Sequence, residues 1–349
     1  MTKKLNVMTD LANIFFGVEV EMSMPSRYSG TSLLADGLRE AGVLRAQGSS
    51  CAHDTQGRVW NIVSDCSVSG SVGFGGELVC PPLTVEDIET LQTVLRVMRR
   101  GGCKSSARLG CGIHIHIDGA YMTGADHTVN PLNGRRTSSV GSDMQAVIRL
   151  LKTVHAHDAQ MQAMLGNSTR RNYCRPISES YVKRMKGVKS FDQLKVAIVD
   201  DMNGGRGTVG RPSANDRAHF NNVLRRADYQ LGSRYPSARY AALNLCPLAS
   251  KGTVEFRLFN GTLHAGKVRA YILWALAMAH FAKNATRVSS KQKAVSRNMK
   301  YDCRTWLNRL GMIGDDFKTA RLHLVGRKSL LEGNSSRAGH NNNETQLAA

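Results

Sequence analysis

The chain has 349 residues, 42% of them apolar, enough for one large domain or two of ordinary size with a real core. No run reaches the roughly 18 consecutive apolar residues of a membrane span, and Met1-Thr2-Lys3-Lys4-Leu5-Asn6 lacks the apolar stretch of a signal peptide, so a cytoplasmic protein is expected. Lys and Arg number 47 against 27 Asp and Glu, a net charge of +20 that favours an anionic partner (nucleotide, nucleic acid, cell-wall peptide or acidic polymer) without choosing among them.

The first periodic stretch is Phe16-Gly17-Val18-Glu19-Val20-Glu21-Met22. Side chains alternate along a strand, so Glu19 and Glu21 share one face and Val18, Val20 and Met22 the other. Pro25 to Gly30 reads as a loop and Thr31 to Ala46 as a helix with Leu33, Leu34, Leu38 and Val43 on its apolar side. Arg58 to Asp65 is strand-like, Ser67 to Gly75 is a Ser/Gly-rich turn, and Gly76 to Cys80 is a strand stopped by Pro81-Pro82. Thr84 with an acidic first turn launches a helix to about Arg100, ended by Gly101-Gly102.

Arg108 to Asp118 holds the most regular alternation, with Ile113, Ile115 and Ile117 on one face and His114, His116 and Asp118 on the other. A loop at Asn130 to Gly134 leads to a long helix from about Ser142 to Leu165. Residues 166–236 are the least patterned and read as a loop-rich insertion; their cluster Asn203-Gly204-Gly205-Arg206-Gly207 lacks phosphate-loop spacing. Arg239 to Leu245 and Gly252 to Phe259 predict an antiparallel hairpin joined by Pro247 to Lys251, followed by a helix from Lys267 to Lys283. The basic run from Arg287 to Arg309 reads as a solvated face, and residues 333–349 as a disordered tail. A single catalytic domain over residues 10–330 is expected. The eight Cys form no Cys-x-x-Cys pair, which excludes a zinc ribbon and predicts reduced, mostly buried thiols.

Each clearly periodic strand puts apolar residues on one face and ionisable ones on the other. Helices would cover the first face, leaving an open face with Glu19, Glu21, Glu77, His114, His116, Glu255 and Arg257, and Asp65 at a strand end. So many carboxylates are untenable together without cations. Oxygen-rich ligand sets suit hard ions, Mg²⁺ or Mn²⁺. An Arg two residues from a metal-ligating Glu suits phosphoryl transfer, where metals neutralise phosphate charge and Arg steadies the transferred group.

Those motifs in that order, with Trp60, Arg239-Tyr240, Leu243-Asn244-Leu245 and Gly261-Thr262-Leu263, closely resemble the amidoligase family of the carboxylate–amine ligase superfamily, which includes glutamine synthetase and glutamate–cysteine ligase. The resemblance spans about residues 14–283. It implies an α+β fold, an antiparallel sheet with helices on one side and an open trough for ATP and Mg²⁺ (or Mn²⁺) on the other. It also implies formation of an amide through an acyl phosphate, from small-molecule, peptide or cell-wall carboxylate and amine substrates. Residue by residue, Glu19 resembles the ligand of the metal nearest the γ-phosphate, shared with His114 and Glu255. Glu21, Asp65 and Glu77 resemble ligands of the neighbouring metal. Arg257 resembles the arginine at the transferring phosphoryl group, and His116 lies beside phosphate or substrate. Tyr240, Asn244, Arg170, Arg171 and Tyr173 are the expected substrate contacts. Two rivals remain open at this point: a phosphotransferase acting on a guanidino or amine nitrogen, and a basic nucleic-acid-binding protein with a degenerate metal site.

Overall fold

In a computed structural model of the protein, the structure describes residues 4–26, 28–68, 73–125, 127–129, 136–138, 140–165, 173–202, 214–233 and 236–326. The strands are β1 (Phe16–Met24), β2 (Leu44–Gln47), β3 (Cys51–Asp54), β4 (Val59–Ser64), β5 (Phe74–Val79), β6 (Gly112–Asp118), β7 (His127–Val129), β8 (Arg136–Ser138), β9 (Leu243–Asn244) and β10 (Thr253–Asn260). Eight of them form one sheet in the order β2-β3-β4-β5-β1-β6-β10-β9, and β7 pairs only with β8. Every pairing between these strands is antiparallel.

The helices are α1 (Val7–Asp10), α2 (Ser29–Glu40), α3 (Ile88–Arg100), α4 (Gly119–Thr123), α5 (Gln145–Ala156), α6 (Asp158–Leu165), α7 (Glu179–Arg184), α8 (Phe191–Met202), α9 (Ala214–Gly232), α10 (Pro247–Ser250), α11 (Ala265–Asn284), α12 (Met299–Arg309) and α13 (Lys318–Val325). Mixed helix and antiparallel sheet make the architecture α+β. The apolar face of β6 and β10 is covered by α11, whose Trp274 meets Phe256 and Phe259 edge-on and whose Tyr271 stacks on Phe259. Helix α11 is apolar nearly all round because it is sandwiched: α3, α5 and α13 flank it on the side away from the sheet. Against α3, Gly37 of α2 lets the backbones meet, since a Cβ there would lie 2.7 Å from the Val94 Cα.

Several expectations change. The helix predicted to run to Ala46 stops at Glu40, and Gly42, with φ of 73°, turns the chain into the hairpin β2–β3. That hairpin carried no apolar alternation because an inward position is Asp54, buried and satisfied by Arg58 and the Trp60 indole N–H. The helix expected over 142–165 breaks at His157, which leaves helical geometry at ψ 21° and separates α5 from α6. Helices α7, α8 and α9 stand where loops were expected over 166–236. The hairpin link Pro247 to Lys251 contains the short helix α10, with Pro247 in its first turn. The basic run is not only a solvated face: its Trp306 is buried. The glycine cluster at 203–207, the loop at 130–134 and the tail at 333–349 lie outside the described residues. The thiols follow expectation: none is in a disulfide, and Cys80, Cys103, Cys111, Cys174, Cys246 and Cys303 are buried.

Candidate active site

Register assembles the site. In the sheet, Glu19 of β1 lies opposite His114 of β6, Glu21 opposite Glu77 of β5, His116 opposite Glu255 of β10, and Glu255 opposite Asn244 of β9. Opposed residues in an antiparallel sheet project to the same side with Cβ atoms about 5 Å apart, so five adjacent strands deliver these side chains to one patch. In β10 the pairing slips between Phe256 and Phe259, so Arg257 and Leu258 together span the position facing His114. This bulge lets Phe256 and Phe259, three residues apart, both point into the core while Glu255 and Arg257 stay on the open face.

The side chains converge tightly. His114 Nδ1 lies 3.3 Å from Glu19 Oε2, 3.7 Å from Glu255 Oε1 and 3.8 Å from Glu77 Oε1, and its Nε2 lies 3.5 Å from Glu21 Oε1. His116 Nε2 is 3.4 Å from Glu19 Oε1 and 3.8 Å from Glu255 Oε1. Arg257 Nη1 donates to Glu255 Oε1 at 2.6 Å, and Asn244 Nδ2 donates to Glu255 Oε2 at 2.6 Å. The backbone N–H of Gly112 donates to Glu21.

The electrostatics of this patch are unbalanced. Burial raises the Glu77 carboxyl, and Glu19, Glu21 and Asp65 raise it further, to about 9. Burial also works against ionised Glu19, yet His116, His114 and Lys251 outweigh it and hold that carboxyl well below the usual range. Glu255 is likewise held down, against burial, by Arg257, His116 and His114. The buried Nε2 atoms of His114 and His116 and the Nε of Arg257 have no hydrogen-bond partner.

Two trios place one ligand atom each within 4.8 Å of one another: Glu19, His116 and Glu255, and Glu19, Glu77 and His114. Glu19 is common to both. The expected grouping of Glu19 with His114 and Glu255 overlaps both trios, since His114 Nδ1 also lies 3.7 Å from Glu255 Oε1, and His116, expected beside phosphate or substrate, lies among the same carboxylates. Glu21 sits against His114 outside the trios, and Asp65 accepts the Ser67 N–H at 2.8 Å in a local turn while adding its charge to the field at Glu77.

Among the expected substrate contacts, Tyr173 is half-exposed and meets Tyr240 edge-on, with centroids 5.9 Å apart, and the Arg239 guanidinium donates to the Tyr240 hydroxyl at 2.7 Å. These lie at the β9 edge of the sheet. Asn244 is buried with its amide engaged by Glu255 and the Cys246 N–H. Arg170 and Arg171 lie outside the described residues. Two further side chains join the patch. Lys251 Nζ reaches Glu19 Oε1 at 3.0 Å, and Thr253 Oγ1 lies 2.9 Å from His116 Nδ1, fixing the ring that presents Nε2 to the carboxylates. Thr253 shares the parity of Glu255 and Arg257, so extending the alternation back to the start of β10 would have found it, whereas Lys251 precedes the strand, at the end of α10.

A family model described as "putative amidoligase enzyme" matches residues 12–133 and 138–279, and the chain belongs to that family. No curated protein matches the sequence. No helix among the described residues is long and apolar enough to cross a membrane.

Proposed function

We propose that the protein is an ATP- and Mg²⁺- (or Mn²⁺-) dependent carboxylate–amine ligase that makes an amide through an acyl phosphate. The observation that carries this reading is the shared Glu19 between two His-and-carboxylate trios, with Arg257 beside them and both histidine Nε2 atoms lacking a hydrogen-bond partner. The open-faced antiparallel sheet fits the catalytic fold of glutamine synthetase and glutamate–cysteine ligase.

The chemistry of the donor set supports hard divalent ions. It is rich in carboxylate oxygen, contains no thiolate, and carries a Glu77 carboxyl that burial and the neighbouring carboxylates push up to about 9, an excess of negative charge that a cation would relieve. Glu19, Glu255 and His116 would hold one ion and Glu19, Glu77 and His114 the other, with Glu21 and Asp65 supplying charge around the second. Such ions neutralise the charge of the triphosphate and of the group in transfer. The protein's own residues do the rest. Arg257, pinned to Glu255, presents its remaining N–H groups to the transferring phosphoryl group, where a charge-assisted donor is most effective. Asn244 holds Glu255 in place and Thr253 holds His116, which is positioning. Tyr173, Tyr240 and Arg239 offer an aromatic and cationic rim at the β9 edge for the carboxylate substrate.

A carboxylate resists amine attack because its leaving group would be oxide. Transfer of the γ-phosphoryl group to the carboxylate oxygen, releasing ADP, converts that oxygen into part of a good leaving group. An amine then attacks the acyl carbon, phosphate departs and the amine loses a proton.

The test is incubation of the purified protein with MgATP, hydroxylamine and pools of amino acids, peptides and cell-wall fragments, comparing wild type with Arg257→Ala. Hydroxamate with equimolar ADP and phosphate, absent in the variant, is the expected result, and its mass names the carboxylate. ADP with a stable phosphoramidate and no hydroxamate would replace this reading with phosphoryl transfer to nitrogen. Salt-dependent nucleic-acid binding without ATP turnover would replace it with the binding-protein reading.

A further inference from the structure

A cavity of about 740 Å³ opens on the helical side of the molecule, a volume typical of small-molecule sites. It lies where α5, α11 and α12 end, lined by His157, Trp306, Arg287, Lys293, Arg309 and Asp10 among others. It is separate from the carboxylate patch: Trp274 of α11 meets Phe256 and Phe259 on the apolar face of β10 and Trp306 on the cavity side. Helix α11 and the sheet therefore stand between the two.

Three cations around one cavity have an ordinary explanation, because helix C-termini carry partial negative charge. The hydrogen bonds argue otherwise. The end of α11 is met by Arg149, which donates to the carbonyls of Ala282 and Lys283 at 2.7 and 3.1 Å. The Ala156 carbonyl at the end of α5 takes the backbone N–H of Lys293, not its ammonium group. Among the described residues, the side chains of Arg287, Lys293 and Arg309 make no hydrogen bond or ion pair. Asp10, the one carboxylate in the lining, accepts the backbone N–H of Asn6 at 2.8 Å.

The aromatic part of the lining is equally defined. His157 and Trp306 stack with centroids 4.3 Å apart and planes 1° from parallel. Burial, with Lys293 and Arg309 nearby, lowers the His157 imidazole to about 4, so the ring is neutral and the cavity's positive potential comes from its rim. Its buried Nδ1 has no partner. Flat neutral rings inside and unspent cations at the rim complement one chemistry, an oxyanion on an apolar planar body.

We propose that this cavity is a second ligand site, taking a small organic anion whose carboxylate or phosphate head meets Lys293 and Arg309 while an aromatic body lies against the His157–Trp306 pair. The proposal is independent of the ligase reading, since none of its residues belongs to the carboxylate patch.

The test uses the full chain in EDTA, so that no metal supports binding at the open face. Trp306 fluorescence and calorimetry follow titration with phenyl phosphate, benzoate, inorganic phosphate and the uncharged benzyl alcohol. Saturable binding of phenyl phosphate or benzoate, at least tenfold tighter than inorganic phosphate or benzyl alcohol, is expected. Lys293→Gln/Arg309→Gln should weaken it at least tenfold, Trp306→Phe should remove the optical signal but not the heat, and Arg257→Gln should change neither. Absence of saturable binding by both aromatic anions overturns the proposal. So does equal binding of benzyl alcohol, or binding that survives the double variant and disappears with Arg257→Gln. The two cations are not buried, so their replacement leaves the core intact.

Discussion

The two faces of the central strands are buried almost equally and differ completely in chemistry. On β1, β6 and β10, Val18, Val20, Ile113, Ile115, Ile117 and Phe256 are 0% exposed, while the alternate positions Glu21, His114, His116 and Glu255 are 3 to 6% exposed. Burying each apolar side chain stabilises the fold by about 1.5–3 kcal/mol. Burying an ionised carboxylate costs several kcal/mol, offset only where partners are complete. On the polar face they are incomplete: Glu19, Glu21, Glu77 and Glu255 stand against two permanent cations, Arg257 and Lys251, and both imidazole Nε2 atoms lack a hydrogen-bond partner. Burial alone therefore does not separate core from site. Completeness of partners does.

That contrast is broken most directly by exchanging what each face loses. Ile115→Ala removes a fully buried side chain under α11 and should cost about 4 kcal/mol of stability, read as a fall in denaturation midpoint, with turnover per folded molecule retained. Glu255→Gln keeps shape and the Asn244 contact but removes the charge that both histidines and Arg257 face. Turnover should fall by about 10² to 10³, roughly 3 kcal/mol in the transition state, and stability should fall as well, because Arg257 loses its buried carboxylate partner. A Glu255→Gln variant that unfolds while turning over normally would make the polar face structural.

The contrast also explains what could be read without coordinates. Period-two alternation fixed which residues of β1, β5, β6 and β10 share a face, because a strand has only two, and that was enough to gather Glu19, Glu21, Glu77, His114, His116, Glu255 and Arg257. Pairing of the trios was not legible, because it depends on register and on the bulge at Arg257–Leu258, which reshape distances without altering the pattern. Helices α7 to α9 were missed for a different reason. In α8 the neighbouring Val196, Ala197, Ile198 and Val199 are all buried, so no single apolar stripe marks the helix. The β2–β3 hairpin escaped because its inward Asp54 is polar.

Smaller perturbations sharpen the comparison within the polar face. Thr253→Val removes the hydroxyl that fixes His116 Nδ1 and should weaken Mn²⁺ binding, followed by electron paramagnetic resonance, by about 10- to 100-fold. Wild-type affinity in that variant would remove Thr253 from the positioning shell. For Glu77, the folded carboxyl keeps its proton to about pH 9 while the unfolded one loses it near 4.5, so the metal-free folded state binds the extra proton between those values. Stability of the metal-free protein should then fall as pH rises through that window, by at most about 1.4 kcal/mol per pH unit. Glu77→Gln should flatten the slope, measured by denaturation in EDTA at a series of pH values. An unchanged slope would assign it to other groups.

Lys251 gives the smallest effect and a test of sign. Its ammonium group is the one permanent cation that touches Glu19 among the described residues, and Glu19 is the carboxylate common to both trios. The side chain is 57% exposed, so the ion pair itself contributes little, under about 1 kcal/mol. A cation drawn to that carboxylate must displace it, however, and linkage then requires that removing Lys251 helps any ion that binds Glu19. Lys251→Met should lower the stability of the metal-free protein slightly while tightening Mn²⁺ binding a few-fold, both read on the same preparation. Weaker Mn²⁺ binding in the variant would mean that Lys251 supports the filled site instead of competing with it. It would then belong with Arg257, among the groups that face the phosphates.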